Sequence, residues 1–251
     1  MTAGLIEAEG LGMRYPTGRL ALEGASLSVS AGELVVVLGH NGSGKSTMLR
    51  CISGMLRPTA GRVLVAGQEM TRLAGRALAD ARMALGMVFQ HAHLVRRRSV
   101  LANVMCGTLG RHRTVVTSLG RLPRGEFGCA MDCLHEVGLS AFAGQRAGTL
   151  SGGQAQRASI ARALAQRPKA MLADEPVASL DPEAAEEIMR LLRRLAAEDG
   201  LAVLCVLHQP ELARRHADRI LGLRAGRMVF LDRAAAVGDG EIAALYEGAV
   251  A

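Results

Sequence analysis

The segment Gly39–Ser46 places the strongest constraint on the fold, because it reads Gly-His-Asn-Gly-Ser-Gly-Lys-Ser and fits the pattern G-x-x-x-x-G-K-[ST]. The apolar run Leu34–Leu38 precedes it, and a helical pattern over Lys45–Ser53 follows it. A glycine-rich loop between a strand and a helix N-terminus is a common cradle for phosphate groups. The chain is therefore predicted to be an α/β protein that binds a nucleotide.

Each residue type in this loop has a physical reason to be there. Glycines at 39, 42 and 44 let consecutive backbone N–H groups turn toward phosphate oxygens, where a Cβ would obstruct them. Lys45 supplies a positive charge to the β- and γ-phosphates, and the hydroxyl of Ser46 is suited to Mg²⁺. The predicted nucleotide-binding loop consists of Gly39, His40, Asn41, Gly42, Ser43, Gly44, Lys45, Ser46 and Thr47.

Strand patterns recur along the chain and predict a mixed, largely parallel core sheet with antiparallel strands beside it. The further predicted strands are Ile6–Leu11, Ala25–Val29, Arg62–Val65, Ala84–Phe89, Ala170–Ala173, Leu201–Leu207 and Arg219–Leu223. Between about 91 and 150 a helical pattern dominates, with helices predicted at Ser99–Cys106 and Glu126–Val137. The sequence thus predicts an α/β core interrupted by a helical insert.

The length of 251 residues suits a single domain. We expect this domain, 1–251, to consist of a core formed by residues 1–90 and about 160–251 and a helical subdomain of about 91–159.

A second apolar strand ends in two adjacent carboxylates, Asp174 and Glu175. Asp174 at the carboxyl end of the strand is placed to hold Mg²⁺, and Glu175 to polarise an attacking water as general base. An acidic pair after a buried strand is common on protein surfaces, but its combination with a phosphate-binding loop favours the catalytic interpretation.

The sequence Leu-Ser-Gly-Gly-Gln at 150–154 predicts a second helix N-terminus suited to an anion. Ser151 is a good N-cap for a helix predicted over Gln154–Gln166, and two glycines expose backbone donors there. These residues match the signature of ABC ATPases, and the chain resembles that family. The resemblance implies that Ser151, Gly152, Gly153 and Gln154 contact the γ-phosphate of ATP held by another subunit.

Other positions acquire roles from this resemblance. Tyr15 matches an aromatic residue that stacks on adenine, although simple packing is the alternative. Gln90 matches a glutamine that senses Mg²⁺ and the attacking water, and His208 matches a histidine that orients the γ-phosphate and water. Asp181 matches a loop at the dimer interface and is also a suitable N-cap before Pro182.

The resemblance covers roughly Leu5 to Phe230, and every signature position carries an expected residue. It implies the ABC ATPase fold of P-loop NTPases, with a mixed, mostly parallel core sheet, an antiparallel β subdomain and a helical signature subdomain. ATP and Mg²⁺ are the implied cofactors. The implied assembly is a head-to-tail homodimer with two composite sites, bound to membrane permease subunits and indirectly to a solute-binding protein. Such a subunit is peripheral, at the cytoplasmic face of the inner membrane.

Several stretches are similar to phosphonate importer ATPases within that family. These are 94–104, 118–123, 176–182 and 207–209. His40 and Asn41 depart from the subfamily pattern, which leaves open an importer ATPase for another solute. An accessory ATPase-like subunit of a carbon–phosphorus lyase system is a further alternative.

The basic composition does not by itself indicate nucleic-acid binding. The formal net charge is +7, and all but two of the 30 basic residues are arginines, spread along the chain. Aromatic residues are 2%, too few for the stacking platforms of single-strand binders. We therefore expect no nucleic-acid partner. Arg96–Arg98 is interpreted either as a solvated face or as a contact near the permease.

No apolar run approaches the roughly 20 residues of a membrane span, and the N-terminus lacks a basic secretory pattern. We therefore expect a cytosolic chain. Its five cysteines are expected to be reduced, with Cys129 and Cys133 as buried structural thiols rather than metal ligands.

Overall fold

The computed structural model describes residues 4–112, 123 and 125–247. The stretch 118–123 that resembles phosphonate importer ATPases lies outside these residues, apart from Pro123. The strands of the described residues are β1 (Ile6–Arg14), β2 (Leu20–Val29), β3 (Leu34–Leu38), β4 (Ala60–Val65), β5 (Gln68–Glu69), β6 (Leu85–Val88), β7 (Ala170–Asp174), β8 (Ala202–Val206), β9 (Arg219–Arg224) and β10 (Arg227–Arg233).

These strands form two sheets. The larger has the order β10-β9-β3-β8-β7-β6 and is parallel except for β10, which pairs antiparallel with β9. The smaller has the order β2-β1-β4-β5 and is antiparallel. The predicted fold class, a mixed and mostly parallel core sheet with an antiparallel sheet beside it, is confirmed.

Helices cover the larger sheet. The α-helices of the described residues are α1 (Lys45–Ile52), α2 (Gly75–Ala81), α3 (Val100–Met105), α4 (Gly125–Glu136), α5 (Gly152–Leu164), α6 (Pro182–Ala197), α7 (Pro210–His216) and α8 (Asp239–Tyr246). Helices α3, α4 and α5 pack on one another in the region predicted to be a helical subdomain. The proposed boundaries of that subdomain remain a prediction.

Strand β3 lies at the centre of the fold, and its five residues are completely buried. Leu34, Val36 and Leu38 face a core that includes α6, while Val35 and Val37 face a core that includes α1 and the smaller sheet. A strand covered on both faces is apolar throughout instead of alternating, which is the pattern of parallel sheets. This burial fixes the strand whose carboxyl end leads into the glycine-rich loop.

Some elements differ from the sequence prediction. β2 begins at Leu20 rather than Ala25. Glu23 and Gly24 interrupt the alternation of apolar and polar residues, but the strand continues through them because its pairing with β1 contains register shifts. Helix α5 begins at Gly152 rather than Gln154, since its cap at Ser151 brings both glycines into the first turn. None of the described helices has the length and apolar composition of a membrane span.

The five cysteines are free thiols. Cys129 and Cys133 are half-buried on α4, so the expectation that they are fully buried is wrong; Cys51 and Cys205 are buried and Cys106 is exposed. Burial, with the neighbouring Cys129, raises the pKa of Cys133 to about 12. Among the residues that the structure describes, no group of three or more His, Cys, Asp or Glu side chains could hold a metal ion.

Candidate functional site

The side chain of Lys45 is held at the start of α1 by the loop that it follows. Its Nζ donates to the carbonyls of Gly39 at 2.7 Å and His40 at 3.0 Å, and the residue is 5% exposed. Burial lowers the pKa of Lys45, and the charges of Glu175 and Asp174 partly oppose this. Within the described part of the chain no carboxylate lies within ion-pair distance of Nζ, so its charge is available to an anion.

Two glycines of the loop are required by close backbone approach. Gly39 has φ +152°, and a Cβ there would lie 2.1 Å from the carbonyl oxygen of Leu223. Gly44 has φ +110°, and a Cβ would lie 2.4 Å from the carbonyl oxygen of Ala21. The loop thus packs against the backbones of β9 and β2 so closely that a side chain at position 39 or 44 would not fit.

A cavity of about 260 Å³ lies beside this loop. Tyr15 is half-buried in its wall, and its hydroxyl lies 3.1 Å from Oγ1 of Thr47. The cavity is lined by Tyr15, Arg19, Ala21, Asn41, Gly42, Gly44, Lys45, Ser46, Thr47 and Glu175. The structure therefore brings the predicted aromatic residue, the glycine-rich loop and the predicted general base around one space.

Ser46 and Asp174 meet at the edge of the loop, where Ser46 Oγ donates to Asp174 Oδ1 at 3.2 Å. Burial raises the pKa of Asp174; the hydrogen bond from Ser46 opposes this, and the nearby Glu175 adds to it. A partly buried carboxylate whose charged form is disfavoured by burial is suited to a cation. Mg²⁺ is typically held by one or two protein oxygens together with phosphate oxygens and water, which this pair fits.

Glu175 and His208 form a contact at the carboxyl ends of β7 and β8, with His208 Nε2 2.6 Å from Glu175 Oε1. Glu175 has φ +51°, a left-handed conformation that is uncommon for residues other than glycine. Its backbone N–H donates to the carbonyl of Val206 at 3.2 Å, which holds this conformation in place. Strained backbone of this kind is concentrated at functional sites.

The N-terminus of α5 carries a complete capping box. Ser151 Oγ accepts from the N–H of Gln154 at 3.2 Å, and Gln154 Oε1 accepts from the N–H of Ser151 at 3.0 Å. The predicted N-cap is confirmed. A Cβ at Gly152 would lie 3.1 Å from Leu180, and one at Gly153 would lie 3.1 Å from Ala184, so the two glycines also allow α5 to approach the start of α6.

Replacing Ser151 by alanine is expected to lower the free energy of unfolding by about 1 kcal/mol, because the N–H of Gln154 loses its acceptor. Ser151→Asn retains a capping oxygen and is the matched control. Urea unfolding of the two variants and the wild type measures the effect. Equal midpoints for Ser151→Ala and the wild type would contradict the assigned cap.

The N-cap interpretation of Asp181 is also confirmed, since its Oδ1 accepts from the N–H of Ala184 at 2.9 Å. Asp181 is exposed, and its contact with a second subunit remains a prediction. The caps of α5 and α6 thus lie next to each other, joined by the contacts of Gly152 and Gly153.

Some predicted residues lie outside the cavity. Gln90 and Ser151 are exposed, and neither lines it, so their contacts with a nucleotide remain predictions. Sequence reasoning missed Arg19, which lines the cavity and donates to the carbonyl of Gly42 at 3.4 Å. An isolated arginine among many carries no distinguishing pattern, and its position after the turn that follows Tyr15 was the one available signal.

The sequence is similar to a known protein family and to individual members of it along most of its length. The family model described as ABC transporter matches residues 22–178. The chain is 50% identical to the phosphonates import ATP-binding protein PhnC of Frankia casuarinae, over 92% of this chain and 90% of that protein. It is 44% identical to phosphonates import ATP-binding protein PhnC 3 of Nostoc sp., over 98% of this chain and 93% of that protein.

Solved structures resemble the whole fold. The dimeric cassette MJ0796, in a post-hydrolysis state with ADP and Pi, aligns with a TM-score of 0.79 and 34% identity, over 91% of this chain and 98% of that one. The ADP conformation of the cassette MJ1267 aligns with a TM-score of 0.86 and 27% identity, over 98% of this chain and 100% of that one.

Proposed function

The chain belongs to the ABC transporter ATPase family, and from this membership we propose that it energises the import of phosphonates or related compounds such as phosphite. The observation that carries the proposal is its 50% and 44% identity to phosphonates import ATP-binding proteins along at least nine-tenths of the chain. The proposed reaction is hydrolysis of ATP, coupled to transport through a membrane permease.

Two copies are proposed to close head-to-tail around two ATP molecules. Each nucleotide would lie between the loop Gly39–Thr47 of one subunit and residues Ser151–Gln154 of the other. The capped N-terminus of α5 supports this arrangement, because it presents backbone donors and the positive end of the helix dipole to an anion. The dimeric structure of the related cassette MJ0796 adds support.

Within each site the residues divide the work. Lys45 is proposed to offset negative charge on the phosphates, and Tyr15, in the wall of the same cavity, is proposed to stack on the adenine. Glu175 is proposed to accept a proton from the attacking water, with His208 orienting it and the γ-phosphate. Ser46, Asp174 and Gln90 would hold Mg²⁺, which neutralises charge on the phosphate oxygens when bound.

Replacing Tyr15 by alanine is expected to lower ATP affinity about tenfold, because the nucleotide base loses its aromatic platform. Tyr15→Phe keeps the ring and loses the contact with Thr47, so its affinity should stay near that of the wild type. Titration with a fluorescent ATP analogue measures both variants, and the turnover number at saturating ATP should be retained. Unchanged affinity of Tyr15→Ala would refute the stacking role.

The chain is proposed to act at the cytoplasmic face of the inner membrane, bound to permease subunits that receive solute from a solute-binding protein.

A strain that lacks this protein should fail to grow on a phosphonate as sole phosphorus source and should grow normally on phosphate. The wild-type gene should restore growth, and a Glu175→Gln gene should not.

Unimpaired growth and uptake on both phosphonate and phosphite would remove the organophosphorus assignment. Copurification distinguishes the remaining alternative. An importer subunit is recovered with a membrane permease, whereas recovery with a soluble lyase complex would contradict the importer proposal.

A further inference from the structure

Helix α5 holds the backbone of the segment that follows β6, residues 89–93. Gln156 Nε2 donates to the carbonyl of Phe89 at 2.9 Å. Arg162 donates through Nη2 to the carbonyl of Ala92 and through Nη1 to that of His93, both at 2.8 Å. Two side chains of one helix thus bind three carbonyls of a segment that contains Gln90.

The 89–93 segment has little else to hold its backbone. Among the residues that the structure describes, no backbone–backbone hydrogen bond involves residues 90–94. His93 has φ +47°, a conformation that is uncommon outside glycine and requires support from its surroundings. The ring of His93 contacts that of Phe89 edge-on, with centroids 5.6 Å apart. Within the segment, His93 Nδ1 also lies 2.6 Å from the carbonyl oxygen of His91, so the bonds from α5 are the polar restraints that tie the segment to another element.

Arg162 binds backbone carbonyls instead of a carboxylate. It is half-buried, and burial lowers its pKa. Within the described residues it has no carboxylate in ion-pair distance; its hydrogen bonds go to the two carbonyls and, at 3.4 Å, to Ser159. Burying a charge without an ionic partner is costly, and the planar guanidinium can bind two acceptors in a fixed geometry. A core packing role alone would be served by an apolar residue.

A further contact to β6 comes from the C-terminal end of the same helix. Gln166, just after α5, donates to the carbonyls of Arg82, Met83 and Leu85, at the beginning of β6. Contacts from α5 and from Gln166 therefore hold the backbone on both sides of β6. The opposite end of α5 is the capped N-terminus at Ser151.

We propose that Arg162 and Gln156 form a latch that couples the position of Gln90 to helix α5. The latch rests on the proposed function, in which the N-terminus of α5 binds the nucleotide of the partner subunit and Gln90 serves the nucleotide of its own subunit. Displacement of α5 on dimer closure would then carry the 89–93 segment with it. Arg162 and Gln156 are positioning residues, since neither lines the nucleotide cavity.

The test compares Arg162→Lys, which keeps the charge and loses the two-pronged donor, with Gln156→Leu, which keeps the volume and loses the donor. The matched control is Arg157→Lys on the same helix, because Arg157 lies 3.9 Å from Glu187 and does not bind the segment. Backbone order parameters of residues 90–93 are measured by ¹⁵N relaxation on the nucleotide-free protein, because the contacts from α5 restrain carbonyls and leave the amides of the segment unbonded. We expect these order parameters to fall below about 0.6 in Arg162→Lys and to change little in the control.

ATPase kinetics then separate positioning from general damage. In Arg162→Lys the turnover number should fall about fivefold, while KM for ATP stays within about twofold, since the cavity is untouched. Unchanged order parameters at 90–93 in either latch variant would overturn the proposal, as would a rise in KM with an unchanged turnover number. Gln156→Leu serves as the test if Arg162→Lys does not fold.

The relaxation measurement needs neither ATP nor a dimer. Failure of the wild type to hydrolyse ATP would therefore contradict the proposed function and leave the relaxation result to decide the restraint itself.

Discussion

A Glu175→Gln variant is expected to bind ATP with wild-type affinity and to hydrolyse it at least about 100-fold more slowly. The amide has the size of the carboxylate but cannot accept a proton from water at neutral pH. Glutamine can keep the contact with His208 Nε2, and the backbone bond to Val206 does not involve the side chain. The left-handed conformation of residue 175 should therefore persist. The effect should therefore fall on the turnover number.

The same variant is expected to accumulate as an ATP-bound dimer, because hydrolysis is the step that reopens the proposed sandwich. Sizing chromatography with and without ATP and Mg²⁺ measures this directly. Glu198→Gln, an exposed glutamate at the end of α6, is the matched control and should behave as the wild type. A Glu175→Gln protein that elutes as a monomer with ATP would contradict the sandwich model for the isolated subunit.

The sequence predicts the glycine-rich loop and the capped N-terminus of α5, because the residues that specify each of them are close together in the chain. The apolar strand, the glycine-rich loop and the helix around Lys45 lie within one continuous stretch, and each imposes its own backbone geometry. The cap at Ser151 is likewise set by residues three positions apart. Such features need no knowledge of how distant segments pack.

Features that depend on distant segments were not predictable. The left-handed backbone at Glu175 is held by Val206 on another strand, and nothing in the residues next to Glu175 requires it. The latch is similar, because Arg162 binds carbonyls about 70 residues away and backbone acceptors leave no mark in the sequence. Strand β10 was also missed, since its apolar residues form the continuous run Met228–Leu231 instead of alternating with polar ones, and its pairing with β9 brings together residues that only the folded sheet makes neighbours.

A Lys45→Ala variant is expected to lose about 2–4 kcal/mol of ATP binding free energy, a decrease in affinity of roughly 30- to 1000-fold. The two carbonyls that hold Nζ place a desolvated positive charge beside the cavity, where it acts on phosphate at short range. Isothermal titration with ATP and Mg²⁺ measures the change. Lys169, the other lysine of the chain, is exposed, so Lys169→Ala controls for the loss of one charge.

The stability of Lys45→Ala separates loss of binding from loss of fold. Lys45 is buried without an ionic partner among the described residues, so its removal relieves a desolvation cost and leaves two carbonyls without a donor. These effects oppose each other, and the urea midpoint should remain close to that of the wild type. ATP affinity within threefold of the wild type would contradict the assignment of the loop. Lost affinity with an unchanged urea midpoint would show that the variant is folded and defective in ATP binding.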